Sequence, residues 1–114
     1  MNTVYTVAFS GGEFLMVFNP KRNGWEMPGG KIERNESAVG AAEREYLEES
    51  GYAISVVSMK ETADCHVCAA FLKDKRRDGE LVSRLFSELP DDLAFERSEY
   101  GGVLEWARSA VKSK

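Results

Sequence analysis

Along the chain, apolar and polar positions fall into blocks whose period shifts from strand-like to helix-like and back. Residues 3–9 read as a strand, and residues 14–18 as a second, nearly continuous apolar one. Ser10-Gly11-Gly12-Glu13 lies between them, with glycines able to take positive φ, so the pair predicts a hairpin with at least one buried strand. A polar, basic loop over 19–24 leads to a short strand over 25–27, stopped by Pro28-Gly29-Gly30. The apolar period then lengthens, predicting a helix from Ser37 to Ser50 with Ser37 as N-cap and Gly51 as the residue just past the end. The first turn, Ala38-Val39-Gly40, has no acidic residue to favour it, which predicts a weak start. Further strands are expected over 53–59, 65–72 and 81–86, with a charged loop over 73–79. A last helix begins near Glu96, with Val103, Ala107, Ala110 and Val111 as its inner stripe and Gly101-Gly102 weakening its first turns. Strands and helices interleaved without regular alternation predict an α/β fold, a mixed sheet covered by helices.

Composition narrows the class of molecule. A length of 114 residues suits one domain, 1–114, with one core, and 43% hydrophobic with 30% charged residues is an ordinary globular balance. The formal net charge of −4 argues against a nucleic-acid polymer or a membrane surface as partner, since both demand a basic field. The N-terminal residues show no basic region, sustained apolar run or cleavage site of a secretory signal, so a cytoplasmic location is expected. The C-x2-C of Cys65 and Cys68, with His66 between, invites a zinc reading. Zinc needs two further ligands, and the chain has no other cysteine or histidine. On a strand the two thiols would also face opposite ways, so small core residues are the expected reading.

The helix over 37–50 carries the chemistry. Glu45, Glu48 and Glu49 stand at i, i+3 and i+4 and project from one side, within a sector of about 100°. Only Arg44 stands near them, and like charges so placed destabilise a helix. A cation is therefore expected there, and a hard divalent metal is the natural candidate. Val39, Tyr46, Leu47 and Ser50 occupy another sector, assigned to the sheet. Ala41 and Ala42 fall one turn before the carboxylates on the same side, leaving room for a loop or a phosphate chain. Glu43 falls near the apolar sector without an evident reason.

The same stretch resembles the Nudix box, G-x5-E-x7-R-E-U-x-E-E-x-G-U, where U is a bulky apolar residue. Gly30, Glu36, Arg44, Glu45, Glu48, Glu49 and Gly51 stand at its fixed positions. Tyr46 and Tyr52 occupy the two U positions, where aliphatic residues are more usual. Residues 25–33 resemble the usual approach to the box, and residues 85–90 more weakly resemble a later segment of the family. The resemblance implies an α/β/α sandwich with a mixed sheet and a loop–helix–loop catalytic motif over 30–52. It implies Mg²⁺ or Mn²⁺ held by Glu45, Glu48, Glu49 and the carbonyl of Gly30, with Arg44 holding the glutamates and Glu36 bracing the loop. Such an ion activates water for attack on phosphorus, and a general base removes the proton. Glu45 and Glu49 are candidates for that base; Glu80, from a later loop, is a third, and Glu88 a weaker one.

The implied substrate is a nucleotide, a nucleoside diphosphate linked to another group. The leading expectation is hydrolysis of a nucleoside triphosphate to monophosphate and pyrophosphate in a MutT-like sanitation role. Two alternatives stand beside it: a pyrophosphatase for ADP-ribose, a dinucleotide polyphosphate or a nucleotide sugar, and a catalytically silent nucleotide sensor. Arg22 and Lys31 are candidate phosphate contacts, with Lys21 beside them, and Trp25 a candidate base-stacking residue along with Phe18 and Tyr5. The competing reading places those charges in solvent and those aromatics in the core. A monomer or a homodimer fits the sequence equally.

Overall fold

The computed structural model describes residues 2–62 and 64–114. Two strands open the chain, β1 (Thr3–Ser10) and β2 (Glu13–Asn19), joined by a tight turn that pairs Ser10 with Glu13 and Phe9 with Phe14. The short strands β3 (Gly24–Glu26) and β4 (Gly29–Lys31) follow, then helix α1 (Ala38–Ser50). Strands β5 (Tyr52–Glu61), β6 (His66–Lys75) and β7 (Val82–Phe86) lead into helix α2 (Ser98–Lys112). These elements match the expected succession with two differences. Gly29-Gly30 does not simply stop a strand but forms β4, antiparallel to β1, with Val4 opposite Gly30. And β6 runs on through Lys75, which pairs with Tyr52, so the expected charged loop is shorter than 73–79.

The sheet is mixed, in the order β3-β2-β1-β6-β5, with β4 on β1 and β7 on β2. Among the named strand pairs only β1 and β6 run parallel. Because strand side chains alternate between faces, β1 divides its residues between two cores. Val7 and Phe9 join Phe14, Met16, Trp25 and Ala69 on the side covered by α2, which inserts Tyr100 and Ala107. Val4 and Ala8 turn to the other side, where α1 supplies Ala41, Ala42 and Tyr46. The sheet is thus a filling between two helices. Val103, Ala110 and Val111 pack against the α2-side core as the stripe predicted, though only in part buried.

Cys68 is buried against Val4, Ala41 and Ala42, while Cys65 stands just before β6, and both thiols are free. No helix among the described residues is long and apolar enough to cross a membrane.

Candidate active site

Local sequence determines how α1 is delimited. The Ser37 side chain accepts a hydrogen bond from the Gly40 N–H at 2.9 Å, offsetting the lack of acidic residues in the first turn. At the other end Gly51 takes φ 84° and donates its N–H to the Leu47 carbonyl at 2.8 Å. Between these caps the buried residues are Ala41, Ala42, Tyr46 and Ser50. At about 100° per residue, Glu45 and Glu49 fall within that same face, between Ala41 and Ala42. The expected separation of an acidic and an apolar sector is therefore corrected. Ala41 and Ala42 do not leave space for a ligand; they let α1 settle on the sheet, which brings Glu45 and Glu49 down with it. Val39 and Leu47 are only half-buried, and Glu43 is exposed.

Strand β4 crosses this face. The Gly29 N–H donates to Glu49 Oε1 at 3.2 Å. Gly30 lies so close to Glu45 that a β-carbon there would overlap the Glu45 carboxylate, which would have to swing away. Burial pushes the Glu49 carboxyl up to about 7, against the pull of the Gly29 hydrogen bond and with the help of the nearby Glu45, Glu26 and Glu80 charges. Glu45 is also raised, chiefly by burial, with Arg44 opposing.

Arg44 organises the rim. Its guanidinium donates to both oxygens of Glu36, at 2.7 and 2.9 Å, and to the Lys31 carbonyl at 3.0 Å. It also lies 3.4 Å from Glu48 and 3.5 Å from Glu45. Bidentate pairing of this kind fixes geometry as well as charge. It holds the Glu36 carboxyl down to about 2, and the Glu33 N–H adds a hydrogen bond at 3.0 Å. Among the described residues, no lysine or arginine pairs with Glu49. Two desolvated carboxylates, only one of them touched by a cation, match the donor set a hard dication requires. The described residues do not hold three metal-ligating side chains already converged on one point. The fit rests on charge and chemistry: Glu45, Glu48, Glu49 and the Gly30 backbone are the available oxygen donors.

Glu80 reaches the site by its backbone, its N–H donating to the Glu48 carbonyl at 2.9 Å. Beside β4 opens a cleft of about 340 Å³ lined by Tyr5, Arg22, Glu26, Met27, Gly30 and Tyr100, among others. Arg22 lines it as expected but is engaged, bonded to Glu26 at 3.2 Å and lying 4.9 Å above the Phe95 ring. Tyr5 lines it too. Trp25 does not: it is 8% exposed in the core, edge-on to Phe18 and Phe86 at 5.4 and 5.1 Å. Lys31 is exposed outside the cleft, and only its carbonyl serves the site. Glu26, Phe95, Glu99 and Tyr100 line the cleft without having been singled out from sequence. Only the return of α2 and of the segment before it, which bridges Leu93 to Trp25, brings the last three there, and no local signal announces it.

Comparison with known proteins agrees with this geometry. The family model described as NUDIX domain matches residues 2–108. No curated protein matches the sequence. Among solved structures, a NUDIX hydrolase from Nitrosomonas europaea is similar with TM-score 0.75 and 22% identity, over 98% of this chain and 72% of that one. The Bacillus subtilis pyrophosphohydrolase BsRppH, a point mutant, is similar at 0.69 and 26%, over 98% and 81%. A MutT NUDIX hydrolase from Burkholderia pseudomallei gives 0.63 and 19%, over 96% and 95%. With the box residues gathered along α1 and against β4, and the family model spanning nearly the whole chain, this protein belongs to the Nudix hydrolase family.

Proposed function

We propose that the chain hydrolyses nucleoside triphosphates to the monophosphate and pyrophosphate with the help of Mg²⁺ or Mn²⁺. The family implies a nucleotide-type substrate and typically uses divalent metals. The observation that carries the finer reading is that two desolvated carboxylates, Glu45 and Glu49, pack against Gly30 and Gly29, which line one modest cleft. Ligand pockets run from about 300 to 1,000 Å³, and this cleft lies near the bottom of that range. It favours one nucleoside over the two of a dinucleotide polyphosphate.

In this reading Glu45, Glu48, Glu49 and the Gly30 carbonyl hold the ion. When bound, it neutralises the phosphate chain and acidifies water. Arg44 contacts no substrate and keeps the carboxylates in register through Glu36, Glu45 and Glu48. Glu49 and Glu80 are the candidates to accept the proton of the attacking water, a contribution worth about 10²–10⁴-fold. Tyr5, Met27 and Tyr100 offer an apolar wall for the base, and Arg22 braces that wall through Phe95 and Glu26.

The test is a substrate panel with purified protein and either metal, products being resolved by chromatography. It would contain common and 8-oxo nucleoside triphosphates, ADP-ribose and a diadenosine polyphosphate. Monophosphate plus pyrophosphate from a triphosphate is the expected result. Cleavage confined to ADP-ribose or the dinucleotide overturns it, and nucleotide binding without turnover would favour the silent sensor.

A further inference from the structure

The C-terminal end of α1 is covered by the segment between β6 and β7. The N–H groups of Arg76 and Arg77 donate to the Gly51 carbonyl at 2.8 and 3.4 Å. Those of Glu80 and Leu81 donate to the carbonyls of Glu48 and Glu49 at 2.9 and 3.0 Å. Carbonyls at a helix end lack intrahelical partners, and here the chain itself supplies them. Two of the partners belong to residues that carry site carboxylates. The closest approach is at Gly79, where a β-carbon would overlap the Glu49 carbonyl oxygen and the Ser50 backbone. Gly79 does not have positive φ, so close packing and not backbone conformation is what requires glycine.

We propose that Gly79 is a positioning residue: its missing β-carbon lets residues 76–81 dock on the last turn of α1 and hold the Glu80 carboxylate beside Glu45 and Glu49. This rests on the reading of Glu80 as a member of the site. The Glu80 and Leu81 N–H groups anchor the segment to the carbonyls of Glu48 and Glu49, so α1 is the fixed platform from which Glu80 is placed. Alanine at Gly79 pushes the segment off the helix, and misplacement by about 1 Å can cost roughly 10²-fold in rate.

Steady-state kinetics on Gly79→Ala, Glu80→Gln and the double variant test this, using the nucleotide the unaltered chain turns over fastest. Gly79→Ala should lower kcat by roughly 10- to 100-fold with KM little changed. In the Glu80→Gln background the same substitution should have almost no further effect, because residues acting as a unit are not additive. Circular dichroism and urea unfolding check that each variant folds. Should Gly79→Ala unfold, one glycine inserted between Asp78 and Gly79 shifts Glu80 without adding a β-carbon, and the same dependence on Glu80 is expected. If Glu80→Gln keeps full kcat, the assignment of Glu80 is wrong and the proposal falls with it. If Glu80→Gln is impaired but Gly79→Ala is either unimpaired or fully multiplicative with it, Glu80 stands and the positioning role is overturned. No turnover of any nucleotide overturns both.

Discussion

Tyr46 occupies a box position usually aliphatic, and its hydroxyl is fully buried without a hydrogen-bond partner among the described residues. The ring fills the space between Ala8, Leu15, Ile54 and Ala70, so it cannot be removed without a cavity, whereas the hydroxyl alone can. An unsatisfied buried hydroxyl costs about 1–3 kcal/mol. Removing one oxygen forfeits a few dispersion contacts of about 0.1–0.2 kcal/mol each. Tyr46→Phe should therefore stabilise the fold by about 1 kcal/mol, or a rise in Tm of roughly 4 °C. Urea unfolding should show a higher midpoint at unchanged slope. Alkaline pH gives a second readout. Burial, aided by the Tyr52 charge, holds the Tyr46 phenol above its ordinary value of 10.0. Below that value the phenol is neutral in both states; above it the unfolded chain ionises first, so stability falls as pH rises. The variant should lose one tyrosine's share of this alkaline slope, about 1.4 kcal/mol per pH unit. Hydrolytic activity should not change. A lower urea midpoint for Tyr46→Phe would refute the reasoning, since it would mean that the hydroxyl is hydrogen-bonded in solution.

Without divalent ions, Glu49→Gln should be more stable than the parent at pH 8, with the gap closing by pH 4. The Glu49 carboxyl stands at about 7 against an ordinary 4.5, so the unfolded chain ionises first and stability falls between those values. Adding Mg²⁺ should stabilise the parent selectively; parallel melting curves at all pH values would contradict this. Glu36→Gln should flatten the acid limb, because Arg44 holds the Glu36 carboxyl at about 2 and its stabilisation, complete above the ordinary 4.5, is lost as pH falls toward 2. Thermal melts from pH 5 to 2 check it, and an unchanged acid limb would count against the Arg44 pairing. Gly51→Ala should cost about 1–2 kcal/mol for the left-handed backbone alone, with more from contact with the Arg77 carbonyl. Urea unfolding within experimental error of the parent would remove that role.

How legible each feature was depended on how local its cause is. Ser37 and Gly51 mark the ends of α1 by side-chain and backbone chemistry within a few residues, so its bounds could be read from sequence. The face of α1 could not. Setting the glutamates, with Ala41 and Ala42, on one sector and Val39, Tyr46, Leu47 and Ser50 on another assigned two faces, whereas Ala41, Ala42, Glu45, Tyr46 and Glu49 share one. Small alanines draw the helix onto the sheet, and the Gly29-Gly30 strand covers the carboxylates. That strand carries no apolar pattern of its own; its pairing is imposed by β1. The extension of β6 to Lys75 is likewise dictated by pairing with Tyr52 and not by hydrophobicity. Trp25 has the same composition whether it stacks on a ligand or on Phe18 and Phe86, so its place in the core was decided only by tertiary packing. Glu80 was legible as a candidate from its position before the last strand, but the backbone contacts that bring it to α1 were not.

The central claim is that Glu45, Glu48 and Glu49 hold a divalent cation that hydrolysis requires. The most direct measurement is pyrophosphate release from nucleoside triphosphates by the parent and by Glu49→Gln, with and without Mg²⁺ or Mn²⁺, both proteins being shown to be folded. Release that depends on the metal in the parent and is lost in folded Glu49→Gln is the expected result. Full release in Glu49→Gln, or release by the parent that persists in excess chelator, would contradict the assignment.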